Sequence, residues 1–305
     1  MKVIVQPQNG YINRIQALAS SALLAREIDA EFEVQWVSDS TAPADSAHIF
    51  SPEFLKCFAS EPEAWSLEPY LNYDSVSRVV TIAGLDRGEQ VFMPELEALL
   101  QSGQAVSEIR ISAGGKFSLG GAESVFASAR AGFYREELVF SAPIESAVAS
   151  ELADRGEYLG LHLRYSDRNH QAPTRKQTLK AVQELARISG IPDVFIATDT
   201  PSDLPWWKSE LENIGLSAWW VAVKDWNRNA PEAALGALVD WQLLTKSHAM
   251  VYFSESSFGE EASVCCVEVP PSVALVPSLT RGVVISLKRY LDSLFTYPKR
   301  HWRGR

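Results

Sequence analysis

Apolar positions along this chain fall into short runs separated by turn signals, and their spacing switches between the period of a strand and that of a helix. The continuous run "KVIVQ" (2–6) predicts a buried strand. Asn9-Gly10 marks a turn after it. From Asn13 to Ile28 the apolar residues Ile15, Leu18, Ala22 and Ala25 recur at helical spacing, and "FEVQW" (32–36) predicts a second strand. A strand, loop, helix and strand of these lengths predict an α/β domain with parallel strands. The rhythm then weakens. Residues 40–75 mix Ser, Pro, Ala and acids with scattered aromatics, which predicts loops and short helices. Strands are expected over 78–83 and 106–112, a glycine-rich loop over "SAGGKFSLGG" (112–121), and a helix over 144–156.

From 157 the alternation is clearer. "EYLGLHLR" predicts a strand. Thr174-x-x-Gln177 forms a capping box ahead of an amphipathic helix, 175–189, that stops at Gly190. "DVFIATD" (193–199), "SAWWVAV" (217–223), "AMVYFS" (249–254) and "SVALVP" (272–277) predict further strands, with helices over 203–214 and 231–247 between them. Ser257-x-x-Glu260 predicts a second capping box opening a short helix, and 283–295 a final helix. The expected organisation is an amino-terminal unit over 1–150, a doubly wound carboxyl-terminal unit over 151–282, and a terminal helix with a basic tail over 283–305.

The 305 residues suffice for two such units. A formal net charge of -10 argues against a general nucleic-acid binder, whose footprint is basic. It does not argue against a small anionic ligand, which one local arginine can hold. Cys57, Cys265 and Cys266 make a poor disulfide framework and point to a reducing interior. "MKVIVQPQNGYINR" lacks a run of leader length, and no stretch approaches the roughly 20 apolar residues of a membrane span. A cytoplasmic, bacterial protein without integral membrane association is expected.

Four features fall where a doubly wound sheet binds ligands, beyond the carboxyl ends of its strands. In His162-Leu163-Arg164, residues i and i+2 of a strand project to one side, and a guanidinium fork suits phosphate. The alternative is a core histidine and a structural pair between Arg164 and Asp167. "ATD", ending at Asp199, lets a ligand approach the backbone and supplies an acceptor; Asp199 could equally cap the following helix. Asp240 lies on an apolar helix face with Gly236, Leu243 and Leu244 as neighbours, so its carboxylate needs a partner. A guanine edge offers two adjacent donors; a backbone amide, Lys246 or Ser247 would also serve. "SESSFGEEA" (254–262) brings hydroxyls to a helix start, where an anion is stabilised, although Glu260 and Glu261 oppose one there. Ordinary capping is the other reading.

The ordered set resembles the fucosyltransferase superfamily of the protein O-fucosyltransferases, the α1,6-fucosyltransferases and the rhizobial nodulation fucosyltransferases. "GLHLRYSDR" looks like its first donor motif, "VFIATDT" its second and "LVDWQLLTKSHAMVYFSESSFGEEA" its third, while "NGYINRIQALASSALLARE" is similar to its amino-terminal loop, asparagine and long first helix. The likeness is good over 157–265, moderate over 1–35 and absent over 40–150. It implies a GT-B fold: two Rossmann-like doubly wound domains facing a cleft, the second binding GDP-fucose. Carried over, Arg164 holds the β-phosphate and Asn13 sits at the cleft near the sugar, as the catalytic pair. His162, Asp199, Asp240, Ser256, Ser257 and Phe258 contact the donor, with Asp240 at the guanine edge. Tyr11-Ile12 stands where the family usually has glycine, and Tyr165 where the α1,6 enzymes have a second arginine.

The expected activity is inverting transfer, with Arg164 and the turn at 256–258 stabilising charge on the departing diphosphate. No metal and no cofactor is expected; the sequence has no D-x-D. The acceptor is a hydroxyl of a glycan, lipid-linked sugar, peptide or natural product. Two alternatives stand beside this: an inactive sugar-nucleotide-binding protein, and an unrelated α/β phosphate-ester hydrolase using His162 and Arg164. Trp206-Trp207 and Trp219-Trp220 could stack on sugars but fit core packing better.

Overall fold

The first apolar run forms strand β1, Lys2–Pro7, and the helical repeat after the turn forms α1, Tyr11–Glu27. Asn9 takes a left-handed φ of 66°, a conformation that asparagine tolerates better than most residues. The first half continues through β2 (Glu31–Val34), the one-turn α2 (Ser46–Ile49), β3 (Tyr70–Asp74), β4 (Val79–Leu85), β5 (Val91–Phe92), α3 (Pro94–Gln101), β6 (Glu108–Ala113), β7 (Phe117–Ser118), α4 (Glu123–Glu136) and α5 (Ala142–Leu152). The second half runs β8 (Leu159–Leu163), α6 (Arg175–Ser189), β9 (Asp193–Thr198), α7 (Leu204–Asn213), β10 (Ser217–Trp219), α8 (Pro231–Thr245), β11 (Met250–Phe253), α9 (Ser257–Ser263) and β12 (Val273–Leu275). This computed structural model describes residues 1–67, 70–85, 91–165, 172–222, 231–266 and 272–276. Asp167, the helix expected over 283–295 and the basic tail lie outside the described residues. None of the described helices is long and apolar enough to cross a membrane.

Two five-stranded sheets organise the chain. The first has the order β2-β1-β6-β4-β3, parallel except for the edge strand β3; the second has the order β10-β9-β8-β11-β12 and is parallel throughout. These are Rossmann-like α/β cores. In each sheet the order reverses beside the first strand, between β1 and β6 and between β8 and β11. Loops leave such neighbouring strands in opposite directions and open a crevice at their carboxyl ends.

The two sheets are clothed differently. Leu159, Leu161, Val194 and Ile196 pack on α6 and α7 through Val182, Leu185, Trp207 and Leu211. The opposite face of that sheet meets α8 so closely that a Cβ at Gly160 would lie 2.9 Å from Ser247 Oγ and 3.0 Å from Leu244 and Met250. The second sheet is therefore doubly wound. The first sheet buries Val3, Val5, Val80, Ile82, Ile109 and Ile111 on the side that carries α1. The register places Glu33, Ile4, Arg110, Thr81 and Asn72 in one row across its other side. That side is polar, and the chain near Trp65 crosses part of it, held by its N–H to Gln6 Oε1 at 3.0 Å and by Arg110 over the indole ring. Among the described residues this half departs from the doubly wound form.

Several local expectations meet a physical test here. The box at Thr174 and Gln177 forms, and Gly190 ends α6 with φ 73°. The box expected at Ser257 and Glu260 does not. Ser256 is the N-cap and caps with no side-chain bond, because the Ser257 hydroxyl and the Glu260 carboxylate both turn toward the first half. Strand β3 and helices α3 and α4 go beyond the sequence reading. Helix α4 follows Gly120-Gly121, has an uncapped start at Ala122, and carries Arg130 on its apolar face, all of which blur the helical signal.

Candidate functional site

The two crevices face each other. Asn13, in the first turn of α1, donates from Nδ2 to the Gly114 carbonyl at 3.0 Å, spanning the β1–β6 crevice. Its Oδ1 accepts from the Ser257 hydroxyl at 2.8 Å, on the turn that follows β11. Lys116, in the loop after β6, makes a second link to Glu260 of α9. Residues expected in the two halves at opposite ends of the chain are thus in direct contact.

His162 and Arg164 end β8 on the other side of the second crevice. Both line a small, partly open cleft that also includes Leu163, Thr178, Phe253 and Leu275. The His162 ring is 8% exposed and stacks on Phe258, centroids 4.9 Å apart and planes 19° apart. Burial, followed by the charge of Arg164, drives its pKa down to about 3. The imidazole is neutral in the folded protein. Among the described residues neither His162 Nδ1 nor the buried Ser256 Oγ has a hydrogen-bond partner.

Gly259 explains how Phe258 reaches this ring. A Cβ at 259 would stand 2.7 Å from Tyr252 Cβ and 2.9 Å from His162 Nδ1. Both neighbours are held by their strands, so α9 itself would have to move. Gly259→Ala is expected to cost about 1–3 kcal/mol of stability, read as a shift in the urea midpoint. An unchanged midpoint would contradict this packing.

Asp199 has a different task from a helix cap. Its Oδ1 accepts from the Tyr165 N–H at 2.9 Å and from the Thr200 hydroxyl at 3.0 Å, tying the end of β9 to the end of β8. The helical turns that follow have Thr200 and Asp203 as N-caps. Asp240 is 5% exposed within α8, the helix that backs β8 and β9. Ser247, considered as its partner, donates to the Leu244 carbonyl at 2.7 Å. The tryptophans serve packing: Trp207 is fully buried, and Trp219 packs on Phe195 and Tyr158. Among the described residues no three His, Cys, Asp or Glu side chains stand together as a metal-ligand group.

The acidic pair expected to oppose an anion is neutralised from the first half. Glu261 is fully buried and takes both forks of Arg130, at 3.0 and 3.1 Å, and the Tyr134 hydroxyl at 2.8 Å. Burial alone would raise its pKa; Arg130 and Lys116 outweigh that and leave it below the ordinary carboxyl value. Glu260 moves the other way, raised chiefly by desolvation. The signal for Arg130 was present, an arginine among Phe126, Phe133 and Tyr134 on one helix face, but it implied a buried partner without naming it. Arg14 is a further residue that sequence reasoning passed over. It is fully buried and holds the Asn9 and Val37 carbonyls at 2.8 and 2.7 Å and Asp39 at 2.7 Å. With Tyr11, whose hydroxyl accepts the Ala44 N–H at 2.8 Å, it shapes the loop after β2.

Two α/β sheets have their crevices opposed, and a histidine, an arginine and a hydroxyl-bearing turn stand at one of them. Solved structures share this fold. The fold is similar to that of fucosyltransferase NodZ from Bradyrhizobium, at 15% identity and TM-score 0.53 over 87% of this chain and 93% of that one. It is also similar to FUT1 of Arabidopsis thaliana in complex with GDP, at 13% identity and TM-score 0.56 over 87% of this chain and 68% of that one. POFUT1 in complex with GDP-fucose matches at 10% identity and TM-score 0.51 over 90% of this chain and 97% of that one. No protein-family model matches the chain, and no curated protein matches it in sequence.

Proposed function

We propose that this chain is an inverting glycosyltransferase of GT-B architecture that transfers fucose from GDP-fucose to a hydroxyl acceptor. One observation carries the reading: Asn13 and Ser257 are hydrogen-bonded across the opposed crevices, and the next residue, Phe258, covers the neutral His162 beside Arg164. Residues singled out from both halves of the sequence converge on one place. The fold similarity to proteins solved with GDP and GDP-fucose supports the donor class.

In this reading the sugar–phosphate bond breaks through an oxocarbenium-like transition state, and negative charge grows on the β-phosphate. Arg164 meets that charge with a preformed fork. The Ser256 hydroxyl and the backbone at 256–258 supply neutral donors. With only seven residues, α9 contributes through these groups more than through a helix dipole. His162 and Asp240 contact the nucleoside, Asp240 at the guanine edge, and Asp199 positions the end of β8. Asn13, fixed by Gly114 and Ser257, stands at the sugar. Protein donors do the work that a metal does elsewhere, so transfer is metal-independent. The acceptor, a glycan, lipid-linked sugar, peptide or natural product, is gathered on the side of the first half, where Arg14 and Tyr11 shape a loop at the sheet edge.

The hydrolase alternative fits less well, because an imidazole stacked, buried and neutral down to pH about 3 is a poor general base. Calorimetry with GDP, with UDP as comparison and with EDTA in both cells, tests the donor. GDP binding that survives chelation is expected, together with GDP release from GDP-fucose when acceptors are supplied. Absence of GDP binding sinks the reading; binding without turnover under any acceptor would make the chain a sugar-nucleotide-binding protein.

A further inference from the structure

We infer that the buried ion pair Arg130–Glu261, with Lys116–Glu260 beside it, is a positioning device for the donor site, setting the pose of the turn Ser256–Phe258 from the opposite half of the molecule. The inference rests on the donor reading above and adds residues to it that never touch the donor.

An isolated helix of seven residues does not hold its own shape or direction. Helix α9 therefore takes its pose from what it packs on. Its inner side is pressed against β8 and β11, where Gly259 lies against Tyr252 and His162 with no room for a side chain. That contact limits how near the helix can come but does not stop it sliding or turning along the sheet. Besides its packing on α1 and α8, where Ala262 is buried, the helix is gripped by polar groups. Glu261 is locked in two directions at once by the Arg130 fork and the Tyr134 hydroxyl, all three buried. Bidentate guanidinium–carboxylate geometry fixes orientation as well as distance. Lys116, 3% exposed in the loop after β6, holds Glu260 one residue earlier and stands 3.9 Å from Glu261 and 3.8 Å from Glu123. Two successive helix residues, two and three positions beyond Phe258, are thus fixed by the glycine-rich loop and by α4.

Such an arrangement is costly if its purpose is stability alone, because buried pairs of this kind are often no better than apolar residues of the same volume. What the pair provides beyond an apolar contact is a defined angle. A turn that must present Ser256 and Phe258 to a diphosphate needs that angle, since a misplacement near 1 Å can cost as much as 10²-fold.

The test uses the full chain, with GDP as the probe and calorimetry well below the melting midpoint of each variant. Arg130→Met combined with Glu261→Gln leaves no buried charge unpaired and is expected to weaken GDP binding about tenfold or more. Lys116→Met with Glu260→Gln, removing the outer pair, is expected to weaken it less. Tyr134→Phe, which removes one hydrogen bond and keeps the ring packing on Trp241, is expected to weaken it about threefold. Melting midpoints are recorded for all three. A purely structural role would lower the midpoints and leave the affinity of the folded protein at the wild-type value, and that result overturns the inference. Should either double variant fail to fold, Tyr134→Phe decides: unchanged GDP affinity in that variant is also fatal. Failure of the donor reading looks different, because the wild-type chain itself would then not bind GDP.

Discussion

Arg164→Ala is expected to lower turnover of GDP-fucose ~10²-fold or more, the loss that follows removal of a single preorganised donor to a developing oxyanion. Arg164 shares its cleft with a neutral histidine, so its positive charge is not duplicated by the imidazole. Lysine at this position keeps the charge but not the fork, and Arg164→Lys is expected to recover only part of the rate. Steady-state kinetics of GDP release check this. Wild-type turnover in Arg164→Ala would remove the guanidinium from the mechanism and with it the assignment of the cleft.

A second large effect concerns acid. The folded His162 titrates at about 3 against an ordinary value of 6.5. Between these values the unfolded chain binds a proton that the folded chain refuses, so stability rises with pH there. The sign is that of a depressed group: the full contribution is present above pH 6.5 and is lost as pH falls toward 3. The slope approaches about 1.4 kcal/mol per pH unit, which amounts to roughly 2 kcal/mol between pH 6.5 and pH 4.5. His162→Phe keeps a ring against Phe258 and removes the titration. Urea midpoints across that range are expected to fall less steeply in the variant than in the wild type. Parallel slopes would mean that His162 is not held neutral by burial. Glu261, held below its ordinary value by Arg130 and Lys116 against the pull of burial, loses its contribution in the same direction at lower pH; the comparison of the two chains cancels it.

The second half was the more readable because its strands are buried on both faces. "LGLHL" and "DVFIAT" are almost continuously buried, and such runs stand out between helices with caps at Thr174 and Gly190. The first half alternates: β6 is half-covered at every second residue, and β3 shows exposed and half-covered residues in turn. Short alternating runs resemble polar loops, and β3 went unseen. At the site, His162, Arg164 and the serine-rich turn could be placed from strand ends alone. The bond between Asn13 and Ser257 could not, because nothing local to either residue states that the crevices oppose each other. The same holds for Glu260 and Glu261. Read along the chain they are the acids of a helix start; only their long-range cations at Lys116 and Arg130 show that they face inward.

The first sheet has an apolar face beneath α1 and a more polar, partly covered face opposite. On its other face Asn72 is exposed and Thr81 half-exposed, and single changes there are expected to move stability by about 0.5 kcal/mol or less, whereas Arg110 covers Trp65 and Ile4 is buried. The exposed positions of that face are therefore open to substitution, while the valines and isoleucines beneath are not. Such a sheet can accept changes on its exposed positions at constant shape, and the fold similarity at 13–15% identity is of that kind.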